Sequence, residues 1–284
     1  MDQSVSRKAK AVKVLLYTVL IIICILSLFP FYWALVSSFR SDVDIFKYVS
    51  PFSWRTLIPD KISFASYVSI FTTHDMAGPI VRTLLVALLN IALGLVINGF
   101  AGFAFAKFNF KGKNLLFAII LVSAMLPFEA IAIPLYGIVN QLQWIDTYWA
   151  LLVPTAADGL VIFMFRQFFQ DIPDSIIESA RLDGASWTVT FWKIVAPLSV
   201  PVFVTSALMI FITQWGAFMW PLLAAHDPSI RLIQVALTDF NQEHGTLWSE
   251  LYATSVITSI IPVLLFLPFQ KYYVAGITSS GVKG

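Results

Sequence analysis

Apolar residues along this chain gather in long unbroken runs separated by short polar stretches, and six of the runs match the length of a membrane crossing. An α-helix rises 1.5 Å per residue, so about 20 apolar residues cross a hydrocarbon core about 30 Å thick. The runs are Val14–Phe39, Thr83–Ala106, Asn114–Val139, Thr147–Phe165, Pro197–Ala225 and Leu251–Phe269. Backbone groups cannot go unpaired in lipid, which makes helices the form expected for each. The fifth is longer than a crossing needs, so its ends are expected in the interface. Only Glu129 and Asp158 place a charge inside a run.

The connecting stretches differ in character. Residues 40–82 carry Pro51, Pro59 and Pro79 with several aromatics, which predicts a folded cap and not a helix. In Asp227–Glu250, residues Leu232, Val235, Ala236 and Phe240 share one helical face, which predicts a short helix lying at the membrane surface. The amino-terminus is basic (Arg7, Lys8, Lys10, Lys13) and is followed by 26 residues without charge. A secretory apolar core has about 7–15 residues, so this stretch is expected to be a retained span behind a short segment, 1–13.

Composition and charge change the picture further. The 284 residues are 58% hydrophobic and 12% charged, where a soluble domain is about a quarter charged, so the surface is expected to face lipid. A net charge of +2 without a basic cluster interleaved with aromatics argues against nucleic acid. Cys24 is the single cysteine and sits in an apolar run, which excludes an intramolecular disulfide and a thiolate cage. His74, His226 and His244 all fall in the loops and never at ligand spacing, so no metal site is expected. Twelve of the 18 Lys and Arg fall in segments 1–13, 107–113, 166–196 and 270–284. Positive charge marks the cytoplasmic side, which predicts a multi-pass protein with both termini inside.

The segment after the fourth run reads as two short helices. Pro173 suits a first helical position, and Asp174 and Glu178 put negative charge in the early turns. Pro173, Ile176, Ile177 and Ala180 form an apolar stripe, and Gly184 supplies a left-handed stop. Ser186 then caps a second helix with the stripe Trp187, Phe191, Ile194 and Val195, which Pro197 ends. This helix–turn–helix has little of its own chain nearby to bury it, and such a surface asks for a partner.

The same segment resembles the EAA loop of ATP-binding-cassette importer permeases, whose pattern is Glu-Ala-Ala, three residues, Gly, nine residues, Ile-x-Leu-Pro. Here Glu178, Ser179, Ala180, Gly184, Ile194 and Pro197 stand at matching spacing, with Ser179 and Ala196 as departures. Phe105–Gly112, the run Phe168–Pro173 and a third helix bracketed by Pro127 and Pro134 extend the likeness. The carboxy-terminal Gln270–Thr278 and Gly281–Gly284 are similar to the carbohydrate-uptake subfamily, and most of all to maltose-type second permease subunits. That subfamily often has Trp-Asn-x-Phe in span five, where this chain has Trp215-Gly216-Ala217-Phe218.

The resemblance implies an all-α, six-helix type I importer permease, a single domain over 14–284, in a bacterial inner membrane. Its coupling loop, 171–197, docks on a separate ATPase dimer through Glu178, Ser179, Ala180, Asp183 and Gly184. It implies a second permease subunit, an extracytoplasmic solute-binding protein, and ATP with Mg used by the ATPase partner. It implies no cofactor and no catalysis on this chain, which lacks Gly-x-x-x-x-Gly-Lys-[Ser/Thr]. The expected cargo is a di- or oligosaccharide or glycoside, moved by alternating access. Another polar solute, such as a peptide, amino acid or oxyanion, stays open, as does a stand-alone secondary transporter.

Residues for the pathway follow from placement. Asp158 lies about 16 Å into the fourth run, near the midplane, and an intramembrane acid marks a site by default. A structural hydrogen bond is the alternative for it. Glu129, between two prolines, is expected in a cavity-lining stretch toward the outer side, in gating or docking. Gln214, Trp215 and Trp220 offer amide and aromatic surface to a sugar, or else anchor the span ends. Gly94, Asn98, Gly99, Gly102 and Ala106 are expected to let helices approach closely.

Overall fold

The computed structural model describes residues 2–49, 51, 53–242 and 245–281. His244 and the terminal Val282-Lys283-Gly284 lie outside the described residues. The helices are α1 (Asp2–Ser37), α2 (Asp42–Phe46), α3 (Ala65–Thr72), α4 (Ala77–Lys107), α5 (Lys113–Ala124), α6 (Phe128–Gln141) and α7 (Tyr148–Leu152). They continue with α8 (Gly159–Gln170), α9 (Asp174–Leu182), α10 (Trp187–Leu198), α11 (Val200–Trp215), α12 (Met219–Ala224), α13 (Ile233–Ala236) and α14 (Trp248–Gly281). A two-stranded ribbon pairs Asn241–Gln242 with Gly245–Thr246.

Three helices are long and apolar enough to cross a membrane: Val12–Ser37, Ala77–Lys107 and Trp248–Lys271. Two bent pairs pass the same test together, α5 with α6 at 102° and α10 with α11 at 87°. The described residues therefore give three to five crossings by length and composition, where the apolar runs predicted six. The fourth run is the one that differs. It is two helices of 5 and 12 residues, neither long enough alone. Pro154 cannot donate to a helical ladder, and Asp158 starts a new helix by capping it.

The chain divides into two compact units, residues 1–76 with 239–259 and residues 77–238 with 260–284. In the first, every residue from Val12 to Tyr32 is exposed, so α1 offers apolar side chains on all sides. That is the pattern of a helix whose solvent is lipid. The stretch after α1 is a folded cap that does contain helix, α2 and α3, and its last residues, 77–82 with Pro79, are already the first turns of α4. Ile45 and Ile70 are fully buried in this unit. Asp42 accepts the Ser249 amide at 2.7 Å, and Arg40, 6% exposed, donates to the Arg55 carbonyl at 2.6 Å.

In the second unit α4 is the spine. Small residues bring α8 and α11 close to it: a Cβ on Gly94 would lie 2.8 Å from Ile210 Cδ1, and one on Gly102 would lie 2.4 Å from Phe165 Cβ. Two asparagines on α4 serve the break between α7 and α8. Asn98 donates to the Ala156 carbonyl at 3.1 Å and accepts the Asp158 amide at 2.9 Å. Asn90 accepts the Thr155 hydroxyl at 2.9 Å. Backbone groups freed by the break thus find partners on a neighbouring helix instead of in lipid. Of the residues read as a surface helix, Leu232, Val235 and Ala236 are buried in this unit, and Phe240 is buried in the first.

Candidate functional site

Helix α9 begins after Pro173, which takes the cap position with extended backbone (φ −58°, ψ 133°), one residue before the place expected for it. The helix ends in a paired turn: the Gly184 amide donates to the Arg181 carbonyl at 3.1 Å and the Ala185 amide to the Ala180 carbonyl at 3.0 Å. This six-to-one and five-to-two pairing requires a left-handed residue, and Gly184 has φ +83°. No atom lies within 4 Å of where its Cβ would be, so the demand for glycine is conformational and not spatial. Ser186 then caps α10 by accepting the Val189 amide at 3.3 Å.

The second helix runs on through Pro197, where the sequence predicted an end. Over Phe191–Val195 its turns widen, with the Ala196 amide reaching back five residues to the Phe191 carbonyl. Proline lacks an N–H, and a widened turn lets the ladder slip past it.

The helix–turn–helix is better buried by its own chain than its sequence suggested. Ile177, Phe191 and Val195 join a core with Phe103, Phe165 and Phe169. Phe191 stacks on Phe100 at 4.3 Å, and Trp187 meets Phe108 edge-on at 4.6 Å. Leu182, 88% exposed, stays outside with Glu178, Ser179 and Asp183, and Ile176, Trp187, Val189 and Trp192 remain partly open. Ser179 spends its hydroxyl on the Ser175 carbonyl at 2.9 Å, and Ala180 is buried. Among the described residues Glu178 has no basic partner, and Asp183 sits at the negative end of its helix dipole, where a carboxylate is locally unfavourable. Two exposed acids, one within α9 and one at its end, suit recognition by another chain.

Lys107, missed as a site residue in the sequence, ties this loop to α4. Its side chain is 7% exposed, its ammonium donates to the Ile172 carbonyl, and it pairs with Asp174 at 2.7 Å. Arg181 lies over the Trp187 ring at 4.6 Å and donates to the Ala185 carbonyl, which braces the turn from within.

The pathway residues do not gather with this loop. Asp158 is the cap of α8, accepting the Leu160 and Val161 amides at 2.7 and 3.2 Å, the structural hydrogen bond that the sequence left open. An alanine there should cost about 1 kcal/mol, and an asparagine only a few tenths. Thermal melts of Asp158→Ala and Asp158→Asn check this. If transport fell equally in both while only alanine destabilised, the charge itself would be in use.

Glu129 is exposed in the first turn of α6, next to Phe128, whose ring meets Trp220 at 6.1 Å. Trp220 is 5% exposed and donates its indole N–H to the Ala150 carbonyl at 2.8 Å, so in this chain it is core. Trp215 is buried and stacks on Phe211 at 5.6 Å, and Gln214 is buried beside it. Asp227, outside the apolar runs, is held below the usual carboxylate range by the Ser229 backbone amide.

The model of the family described as "binding-protein-dependent transport system inner membrane component" matches residues 91–278. The chain belongs to this family. Relatives of it include the arabinooligosaccharides transport system permease protein AraQ of Halalkalibacterium halodurans, 29% identical over 92% of this chain and 93% of that protein. The trehalose/maltose transport system permease protein MalG of Thermococcus litoralis is 31% identical over 96% and 97%. The sn-glycerol-3-phosphate transport system permease protein UgpE of Yersinia enterocolitica is 30% identical over 93% and 95%. In fold the family member resembles a chain of a bacterial ABC transporter involved in the import of alginate, with a TM-score of 0.82 at 21% identity, covering 94% of this chain and 98% of that one.

Proposed function

We propose that the chain is one membrane-spanning half of an ATP-driven importer that moves a sugar, a di- or oligosaccharide or glycoside, across a bacterial inner membrane. In this reading six segments cross the membrane, both termini are cytoplasmic, and the bent pairs and the α7–α8 stretch each count as one crossing. A second permease subunit completes the pathway, and a solute-binding protein delivers the cargo from outside. An ATPase dimer uses ATP and Mg, and its closure pulls on α9, so that the permease halves rock between inward- and outward-facing states.

The observation that carries this is the exposed helix α9 with Glu178 and its closing turn at Asp183 and Gly184, anchored to α4 through Lys107. A docking surface with free acids, joined by a buried cation to the longest helix of its unit, is suited to passing force from an ATPase into the membrane. Relatives named for arabinooligosaccharides and trehalose/maltose support the sugar reading. Those named for sn-glycerol-3-phosphate favour a phosphorylated polyol as a second one.

The test is solute-stimulated ATPase activity of the reconstituted complex. Oligosaccharides are expected to stimulate hydrolysis only with the binding protein present. Gly184→Val, a β-branched residue at φ +83°, is expected to lower coupled hydrolysis at least about tenfold, whereas Gly184→Asn, which tolerates that backbone, keeps most of it. Solute movement by this chain alone, indifferent to ATP and to Gly184, would return the protein to the secondary-transporter class.

A further inference from the structure

A cleft of about 400 Å³ opens where α4 has ended and α5 begins, lined by Asn109, Lys113, Asn114, Leu115 and Arg166 among others. Its two cations come from different helices, and nothing negative lines it. Among the described residues neither Lys113 nor Arg166 forms an ion pair. Among the described residues Lys113 donates to the Phe108 carbonyl at 2.8 Å, which leaves two ammonium hydrogens over. Arg166 Cζ lies over the Phe117 ring, 4.2 Å from its centroid, and among the described residues the guanidinium reaches an acceptor through Nε, the Phe105 carbonyl at 3.4 Å. The ring and the carbonyl hold the guanidinium in place, and its terminal nitrogens have no hydrogen-bond partner among the described residues. Two like charges facing one space repel, and an anion between them relieves that cost.

We propose that this cleft binds a phosphate group. A planar fork beside an ammonium matches three tetrahedral oxygens, and the amides of Asn109 and Asn114 add neutral donors. A phospholipid is the source that the surroundings favour. Leu115 lines the cleft at 67% exposed, and Ile119 and Val122, 55% and 62% exposed, continue its face along α5. These residues lie four and seven positions apart on one side of a helix, a track for an acyl chain running from the phosphate into the apolar layer. The cleft also lies where two apolar helices stop, the level at which a bilayer presents its headgroups. The site concerns lipid and not cargo, and its failure would leave the importer reading untouched.

The whole importer complex, delipidated in a neutral detergent, is titrated with short-chain phosphatidylglycerol and separately with inorganic phosphate, and bound probe is counted by native mass spectrometry. Wild type is expected to retain phosphatidylglycerol. Lys113→Gln and Arg166→Gln should each weaken it about fivefold, and the pair roughly twenty-five-fold, as expected for about one unit of surface-charge attraction per cation. Lys113→Arg keeps the cation and should bind as wild type does, which covers the case in which the double variant fails to assemble. Lys193→Gln, an exposed cation outside the cleft, should change nothing. Inorganic phosphate displacing the lipid at matched occupancy would keep the phosphate site and assign it to a free anion. Equal lipid binding by wild type and both single glutamine variants would overturn the proposal. So would loss of the ATPase subunit with lipid retention unchanged, which would make the cleft a protein contact.

Discussion

Gly102→Val should remove the protein from the folded membrane fraction. Even an alanine Cβ at this position would lie 2.4 Å from Phe165 Cβ, 3.0 Å from the Arg166 nitrogen and 3.2 Å from the Ile162 carbonyl. Two of those three atoms are backbone, and the third is the fixed base of a side chain that is fully buried. No rotamer change relieves the clash, so α4 and α8 would have to move apart by about an ångström, separating the asparagine contacts above them. Overpacking in a close-packed interior costs about 1–3 kcal/mol for modest insertions. Alanine should fall in that range and valine beyond it. Gly137, in α6, has nothing within 4 Å of its missing Cβ. Gly137→Ala should be neutral, or stabilising by up to about 1 kcal/mol through helix propensity. Detergent-solubilised yield and thermal midpoint by fluorescence-detected chromatography check both. A Gly102→Ala protein that melts with wild type would mean the α4–α8 contact is softer than described.

Lys107→Met should uncouple the complex, with solute uptake down more than about tenfold while ATPase subunits still co-purify. Two interactions meet at this ammonium, and they are unequal. The pair with Asp174 is at a carboxylate that is 75% exposed, and such a pair contributes about 0–1 kcal/mol. The bond to the Ile172 carbonyl is made by a side chain that is 7% exposed, and a charge-assisted bond of that kind is worth about 1.5–3 kcal/mol. Asp174→Asn should therefore leave coupling nearly intact. Methionine keeps the length and apolar body of lysine but orphans the carbonyl just before α9, so the loop and α4 can move separately. Uptake measured against ATP hydrolysed in the same vesicles gives the ratio that matters. If Asp174→Asn uncoupled as strongly as Lys107→Met, the exposed ion pair would be the working link.

The sequence made some of this visible and hid the rest for definite reasons. Unbroken apolar runs of about 20 residues or more located α1, α4 and α14, each of which the structure keeps as one long helix. Gly184 was legible because a left-handed helix stop has few other solutions. The break in the fourth run was not seen, since hydropathy does not distinguish one helix from two. The signal was present in Pro154 and in Asp158-Gly159, a helix breaker followed by a capping residue. Asn98 read as a small packing residue, but its work is to serve backbone groups of residues 156 and 158, and no local pattern announces a partner so distant. Lys107 reads in the sequence as an inner-side charge within the Phe105–Gly112 likeness, and its tie to the loop is hidden because that role depends on where the chain returns. Trp220 offered a sugar-stacking surface on paper, and the fold spends both its face and its indole N–H inside the protein.

The dependence of the α7–α8 stretch on Asn90 and Asn98 also bears on how the chain is made. A helix of 5 residues and one of 12 are each too short to satisfy hydrocarbon on their own. Whatever part of that stretch enters the bilayer leaves open carbonyls and amides until α4 stands beside it. In order of synthesis α4 emerges some forty residues earlier, so its two asparagines are in place before the stretch leaves the ribosome. The gene order of these segments is thus also an assembly order, with an early helix acting as template for a later one that cannot insert unaided.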